Sequence, residues 1–362
     1  MHDIATNELG ILLVLAFVIF VSPYFAKITK IPIAPIEIIF GTILGYFGLI
    51  EQSATFKLVA EVGFFYLMFL AGTEIDIRAL IKTDKQVLRL ALLYISILYI
   101  VAGITGVWSN ALFLTFVVVP VMSVGVLSTL FKEYGKNEPW LNTAMIAGGI
   151  GEVISIALLT LMSAYIEFGS SAELFSSIYY LILFIALCVL GFKGLEILFW
   201  WYPNIKIMLM PHDDKAEKDI RLSMALFFST VAVMIYLNLE IVLGAFIAGS
   251  FIATFFNHKK DLPHKLGSFG FGFLVPIFFV YIGTTVDLGY LFMPGVLDNA
   301  IKLMIFMTIV RVAASLIFIK RFGLYDSILF GLSLSMPLTL LVAVATVAYN
   351  AGNIPKELYF AF

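Results

Sequence analysis

The sequence contains very few charged residues. Only 13% of its 362 residues are Asp, Glu, Lys or Arg, whereas 62% are hydrophobic and the mean hydropathy is +1.05. An ordinary soluble domain has roughly 25% charged residues, and so few charges cannot cover the surfaces of two or three such domains. The composition excludes a water-soluble enzyme and predicts an integral membrane protein.

Cysteine and basic runs are also scarce. The single cysteine, Cys188, excludes a disulfide framework and a cysteine metal site. The net charge is -2 and no run of Lys and Arg is long enough to bind nucleic acid, so no nucleic-acid partner is expected. A GxxxxGK[ST] loop is absent, which argues against ATP-driven transport. The first apolar run lacks the basic flank and cleavage site of a signal peptide, so we expect it to be retained as a span.

Twelve apolar runs are long enough to cross a bilayer, which takes about 20 helical residues. They lie at 9–26, 33–50, 56–73, 87–107, 111–131, 140–165, 173–201, 221–237, 240–256, 269–286, 299–319 and 324–350. Residues 354–362 look like the start of a thirteenth span, so a truncated last span is expected. Together the runs predict a single transmembrane domain over 1–362.

The distribution of Lys and Arg predicts the orientation of these spans. Loops after odd-numbered spans carry 17 of the 22 basic residues, and the opposite side carries three. Since basic residues accumulate in cytoplasmic loops, we expect the N-terminus to lie outside the cytoplasm.

Two spans contain helix breakers near their centres. Pro120 and Gly125 interrupt 111–131, and Pro337 interrupts 324–350. Proline removes a helical hydrogen bond, and backbone groups freed inside a membrane must be satisfied by protein, water or an ion. Either break alone could be an ordinary kink. The two spans are seven apart and run in opposite directions, which is typical of inverted-repeat transporters with broken helices at the midplane.

The deepest charged residues are Glu152, in the predicted ion-site span 140–165, and Arg311, in the predicted ion-site span 299–319. A charge at the bilayer centre costs at least about 2.5 to 3.5 kcal/mol. We therefore expect the two side chains to approach each other, with a purely structural ion pair as the alternative.

Hydroxyl groups near the same depth are candidate cation ligands. Ser155 lies three residues after Glu152 and so on the same helix face, and Ser123 and Thr339 lie beside the two breaks. Hydroxyls in a span also bond to their own helix, so both interpretations stay open. A nearly bare face of span 140–165 could admit the broken helices closely; it is formed by Gly148, Gly149 and Gly151.

Several segments resemble known cation exchangers. Residues 123–126 (SVGV) and 147–152 (AGGIGE) resemble the unwound and ion-binding helices of bacterial sodium/proton antiporters. Residues 69–76 (FLAGTEID), 243–249 (LGAFIAG) and 276–283 (PIFFVYIG) resemble segments of the second monovalent cation:proton antiporter family, which includes glutathione-gated potassium efflux systems. These matches extend over almost the whole chain in the expected order.

The resemblance implies an all-α inverted-repeat fold of about 13 transmembrane helices, with a dimer domain, a mobile core domain and two discontinuous crossed helices. It also implies a homodimer, surrounded by lipid, in the bacterial cytoplasmic (inner) membrane. By position, Glu152 corresponds to the ion-binding aspartate of the family, and Arg311 to its basic partner. The sequence departs from the family pattern in two places. Gly151 replaces the usual Asp, Asn or Gln, and residues 337–340 contain no acid, whereas some members carry one just beyond this break.

The implied activity is exchange of Na+ or K+ for H+ by alternating access, with Li+ as a third candidate and no cofactor beyond the transported ions. A single acid paired with an arginine that does not deprotonate predicts electroneutral one-for-one exchange. Two alternatives remain open. One is a gated potassium efflux system or channel whose cytoplasmic regulatory domain is absent from this chain, and the other is a non-transporting scaffold.

Overall fold

The computed structural model describes most of the chain as helix. The description excludes residues 1, 51, 79–82, 109–111, 125–126, 128–137, 169–171, 212–215, 238, 257, 287–288, 290–294, 336, 351, 353 and 362. Two residues named above, Gly125 and the side chain of Thr339, therefore lie outside the described part.

The first half of the chain forms helices that lie within or along the predicted spans, and most of them are long. These are α1 (His2–Thr29), α2 (Ile33–Tyr46), α3 (Ala54–Thr73), α4 (Lys85–Trp108), α5 (Leu112–Val118), α6 (Pro139–Phe168) and α7 (Ala172–Trp201). Ser53 caps α3, since its side chain accepts a hydrogen bond from the Phe56 N–H at 3.1 Å.

The second half contains shorter and more interrupted helices. They are α8 (Pro203–Leu209), α9 (Lys218–Tyr236), α10 (Ile241–Phe255), α11 (Leu262–Phe269), α12 (Val275–Thr285), α13 (Val296–Ser315), α14 (Ile319–Phe322), α15 (Leu324–Ser333), α16 (Leu338–Asn350) and α17 (Lys356–Ala361). A π-helical turn, Gly270–Leu274, joins α11 to α12, and a 3-10 turn, Leu316–Phe318, joins α13 to α14. Gly323, with a φ of 87°, forms the corner between α14 and α15.

Within the described residues, eight helices are long and apolar enough to cross a membrane. Two shorter apolar helices, α2 and α10, occupy two further predicted spans. The remaining two predicted spans, 111–131 and 324–350, are the ones that contain the interruptions after α5 and between α15 and α16. Ten of the twelve predicted spans thus coincide with apolar helices among the described residues, and the chain is a multi-pass membrane protein. The two broken spans stay a prediction.

The helices pack into two groups. The first group contains helices that contact one another near both the start and the middle of the chain: α1, α2, α3, α9, α10, α11 and α12. The second group contains α4, α5, α6, α13, α15, α16 and α17. The groups meet mainly where α6 contacts α10, and α7 packs on α6 while α8 leads to α9. In each group, three consecutive helices from the first half of the chain pack with helices from the second half. Two halves with similar folds would give this arrangement.

Glycines set the closest helix crossings of the first group. A Cβ at Gly249 of α10 would lie 2.8 Å from the Thr73 nitrogen of α3, and closer still to the Phe69 carbonyl oxygen. Gly72 faces the backbone of Phe246 in the same way. Small residues of this kind let helix backbones approach within a membrane.

Loops that alternate along the sequence lie at opposite ends of the bundle. The Ile77 N–H donates to Thr254 Oγ1 at 3.1 Å and joins the ends of the third and ninth predicted spans. At the other end, Gln52 Nε2 donates to the Thr284 carbonyl at 3.0 Å and joins the ends of the second and tenth predicted spans. The arrangement agrees with the predicted alternation of the spans, and the sidedness of the membrane stays a prediction.

We expect Gly249→Ala to destabilise the protein. Its Cβ meets backbone atoms of α3 that cannot move aside, and overpacking of this kind costs about 1 to 3 kcal/mol. The measurement is the thermal unfolding midpoint in detergent. Gly191→Ala is the matched control, because a Cβ there meets nothing within 4 Å. Equal midpoints for the two variants would contradict the close crossing.

Candidate functional site

The first predicted break is a non-helical segment directly after α5. Residues 119–124 leave the helix at Pro120, which has no N–H to continue it. The Val119 N–H still donates to the Thr115 carbonyl at 3.1 Å, and the Val121 N–H donates to the Val118 carbonyl at 3.3 Å. The backbone groups that follow must find other partners, because the bilayer offers no water to them.

Side chains of α6 accept hydrogen bonds from the amides of this segment. The Val124 N–H donates to Glu152 Oε2 at 3.1 Å, and the Met122 N–H donates to Ser155 Oγ at 3.3 Å. The Ser123 side chain lies close enough to interact with the Glu152 carboxyl group. Three of the predicted ion-site residues thus lie together, and all three are buried.

Arg311 binds the same segment through a carbonyl. Its Nη2 donates to the Val121 carbonyl at 2.6 Å, and its Nη1 donates to the Met307 carbonyl of its own helix at 3.3 Å. No direct ion pair within 4.0 Å joins Arg311 to Glu152, although both side chains are described. The expected approach occurs through the unwound backbone instead, since a carbonyl released from a helix is a strong acceptor for a guanidinium group.

Part of this buried polar cluster lacks hydrogen-bond partners. Among the described residues, Glu152 Oε1, Arg311 Nε and the Tyr94 hydroxyl are each buried without one. Tyr94 is close enough to Arg311 to interact electrostatically with it. A carboxylate with one fixed oxygen and one free oxygen retains an acceptor that can bind a proton or a cation.

The small residues of α6 admit the broken helices. A Cβ at Gly148 would lie 3.0 Å from the Leu334 side chain, just before the second break, and 3.3 Å from Val124 in the first. A Cβ at Gly151 would collide with the Met122 sulfur. Gly149 instead faces Ile75, at 3.2 Å. Two of the three predicted glycines therefore bring both breaks against α6.

The second break separates α15 from α16. The Pro337 carbonyl accepts a hydrogen bond from the Leu341 N–H at 2.9 Å, so Pro337 stands directly before the first turn of α16 and accepts its first helical hydrogen bond. Ser335 Oγ turns back to the Gly331 carbonyl at 2.7 Å and is occupied by its own helix. Thr339 lies in the first turn of α16.

The sequence did not single out two tyrosines of α4. Tyr94 is fully buried beside Arg311, and the Tyr99 hydroxyl interacts with Ser155. Tyrosines in an apolar span resemble ordinary interfacial aromatics. Their position well inside the span, away from its ends, was the sequence feature that could have indicated a role in the site.

Among the described residues, no group of three or more His, Cys, Asp and Glu side chains could hold a metal ion. Among the described residues of the site, Glu152 supplies a carboxylate, and Ser123 and Ser155 supply neutral hydroxyl oxygens.

The fold and sequence can be compared with those of known proteins. YjbQ of Bacillus subtilis, which carries a provisional Na+/H+ antiporter name, is 27% identical over 370 residues, covering 95% of this chain. The chain spans only 58% of the length of YjbQ. GerN of Bacillus cereus, named a Na+/H+-K+ antiporter, is 23% identical over 289 residues, covering 78% of this chain and 70% of GerN.

A solved structure shares the fold. The sodium proton antiporter MjNhaP1 from Methanocaldococcus jannaschii, determined at pH 8, superposes with a TM-score of 0.67 at 18% identity, covering 100% of this chain and 92% of its own. This similarity establishes the antiporter-like helical fold. Residues 14–362 match the family described as sodium/hydrogen exchanger, transmembrane. The chain therefore belongs to the sodium/hydrogen exchanger family, a family of membrane transporters and not of enzymes.

Proposed function

We propose that this chain exchanges a monovalent cation, Na+ or K+, for H+ by alternating access, one for one, through Glu152. The observation that carries the proposal is the state of the Glu152 carboxyl group. It is fully buried, with Oε2 accepting from the Val124 amide and Oε1 free of any partner among the described residues.

The chemistry follows from the cost of a buried charge. An ionised carboxylate with no compensating cation is strongly disfavoured in an apolar interior. Either a proton or a monovalent cation removes that penalty, and the two compete for one group. If the protein changes from one side of the membrane to the other only slowly while Glu152 is ionised and empty, each change of side carries either a proton or a cation. The two ion gradients then become coupled.

Arg311 and Gly151 support an electroneutral stoichiometry. The guanidinium group does not lose its proton in proteins, and it is engaged with the Val121 carbonyl. The Met122 side chain fills the space beside Gly151, where a second acid would otherwise stand. One titrating group then carries one charge in each direction.

Neutral oxygens would complete the cation site. Ser155 and Ser123 lie next to Glu152, and we propose both as ligands together with Thr339 from the second break. GerN, by its name, exchanges both Na+ and K+, so both ions are candidate substrates here, and Li+ is a third.

The wider setting of the site belongs to the same proposal. The two helix groups would move relative to each other during alternating access, with α7 between them. We propose a homodimer in the bacterial cytoplasmic membrane with the N-terminus outside, in keeping with the family resemblance and the Lys and Arg distribution.

The first test is proton movement in tight liposomes that contain a pH dye. We expect Na+ or K+ added outside to drive proton efflux by the wild type, and Glu152→Gln to reduce it to the level of empty vesicles, because the amide carries no charge to exchange. Glu61→Gln is the control, since Glu61 is exposed and pairs with Lys57 at 3.8 Å. Exchange that persists in Glu152→Gln would overturn the role of Glu152. A wild type that moves no protons with any cation would overturn the exchange itself and favour the channel or scaffold alternative.

The stoichiometry has a separate test. The rate of exchange should not change when the membrane potential is clamped with valinomycin and equal K+ on both sides, with Na+ as the driving cation. An electroneutral cycle moves no net charge, so the potential has nothing to act on. A rate that rises or falls with the imposed potential would exclude one-for-one exchange.

Gly151→Asp tests whether a second acid is excluded by packing. We expect a lower thermal midpoint, because the new side chain collides with the Met122 thioether. Met122→Ala in the same chain should restore part of the stability by making room. If Gly151→Asp is as stable as the wild type, the Met122 contact does not limit this position.

A further inference from the structure

A second polar site lies at the end of α7, far in sequence from Glu152. It is a cavity of about 400 Å3. The described residues that line it are Arg78, Glu196, Ile197, Phe199, Trp200, Trp201 and Lys206. Two of these seven are basic and one is acidic.

The charges of this cavity are unbalanced. Arg78 Nε lies 3.4 Å from Glu196 Oε1, and its guanidinium carbon lies 4.8 Å from the Phe255 ring centroid, which fixes the group over an aromatic face. Partial burial, and then the neighbouring Arg78 charge, lower the pKa of Lys206. The Glu196 side chain is 61% exposed, so solvent partly screens its charge. Two converging cations with one weakly engaged carboxylate favour an added anion.

The apolar side of the cavity continues along the membrane-facing surface. Helix α7 is the least buried of the eight candidate spans. Ile197, Trp200 and Trp201 are 59%, 75% and 66% exposed. Tryptophan is enriched where the hydrocarbon meets the headgroups, and Pro203 starts the short helix α8 directly beyond this point. The cavity thus joins a cationic pocket to an apolar helix face at the membrane interface.

We infer that this cavity binds an anionic phospholipid. The phosphate group lies between Arg78 and Lys206, and an acyl chain follows Ile197 and the tryptophan pair along α7. Basic pockets between helices at the membrane surface recognise anionic headgroups in this way. The continuous apolar face selects a lipid over a soluble phosphate, which would use the cationic pocket alone.

Tryptophan fluorescence gives a direct test, independent of transport. The background variant is Trp108→Phe, which removes a tryptophan that is 91% exposed elsewhere and leaves Trp200 and Trp201 as the exposed pair. Phospholipid with brominated acyl chains is added to the protein in detergent, as phosphatidylglycerol or as phosphatidylcholine. We expect half-maximal quenching by phosphatidylglycerol at on the order of a tenfold lower mole fraction.

Charge variants in that background assign the preference to the cavity. In the double variant Arg78→Gln with Lys206→Gln, both lipids should quench the tryptophan fluorescence equally. Lys320→Gln with Arg321→Gln is the matched control, because these two exposed bases lie outside the cavity, and the preference should persist. Glu196→Gln should strengthen the preference, since it removes the competing carboxylate; a folding defect cannot produce that gain.

Four results would overturn the inference. They are equal quenching by the two lipids in the background variant, an unchanged preference in the Arg78 and Lys206 double variant, a preference lost equally in the control pair, and an unchanged or weaker preference in Glu196→Gln. Inorganic phosphate without lipid is the remaining probe. If it raises the thermal midpoint through Arg78 and Lys206 while phosphatidylglycerol does no better than phosphatidylcholine, the site takes a soluble phosphate and the lipid assignment fails.

Discussion

The membrane interior offers no water to the polar groups of an interrupted helix, and segment 119–124 is where this protein must meet that constraint. The chain meets it with three side chains from two other helices. Ser155 and Glu152 accept from its amides, and Arg311 donates to its carbonyl. The acid and the base would be costly in hydrocarbon, and so would the released backbone. Each therefore stabilises the other, and the helices around them need only hold α6 and α13 against this segment.

Close approach is the second requirement, and glycine meets it in both helix groups. Gly148 and Gly151 let α6 reach the breaks, while Gly72 and Gly249 let α3 and α10 cross at backbone distance. The last two lie in segments that carry the family resemblance. These two segments thus resemble the family because they form a helix crossing, whereas residues 147–152 contain both the packing glycines and the Glu152 carboxyl group. This explains how the fold can be recognised across large sequence distances while the transported ion is left open.

Much of the site was predictable because charged residues and prolines are so rare in these spans. Each deep one required a partner, which led to Glu152, Ser155 and Arg311. Glu152 and Arg311 were expected to approach each other, and the structure joins them through the backbone of segment 119–124. A count of side-chain charges could not show this route, because it leaves out the carbonyl groups that a helix break releases. Tyr94 was missed because a tyrosine in an apolar span resembles an interfacial residue, and its burial beside Arg311 depends on tertiary packing. Likewise, Gly149 has the same sequence signature as Gly148 but faces Ile75.

In the proposed exchange, the divided use of the Glu152 carboxyl group would link the bound ion to the protein. One oxygen accepts a hydrogen bond from the Val124 amide, and the other has no hydrogen-bond partner among the described residues. Hydrogen bonds to an ionised carboxylate are roughly twice as strong as those to a neutral acid, so a proton on this group weakens its hold on segment 119–124. A bound cation leaves the carboxylate ionised and its hold strong. In the proposed exchange, the two loaded forms would be equally neutral but would attach the segment with different strength. A difference of that kind is what a carrier needs in order to distinguish the ions that it exchanges.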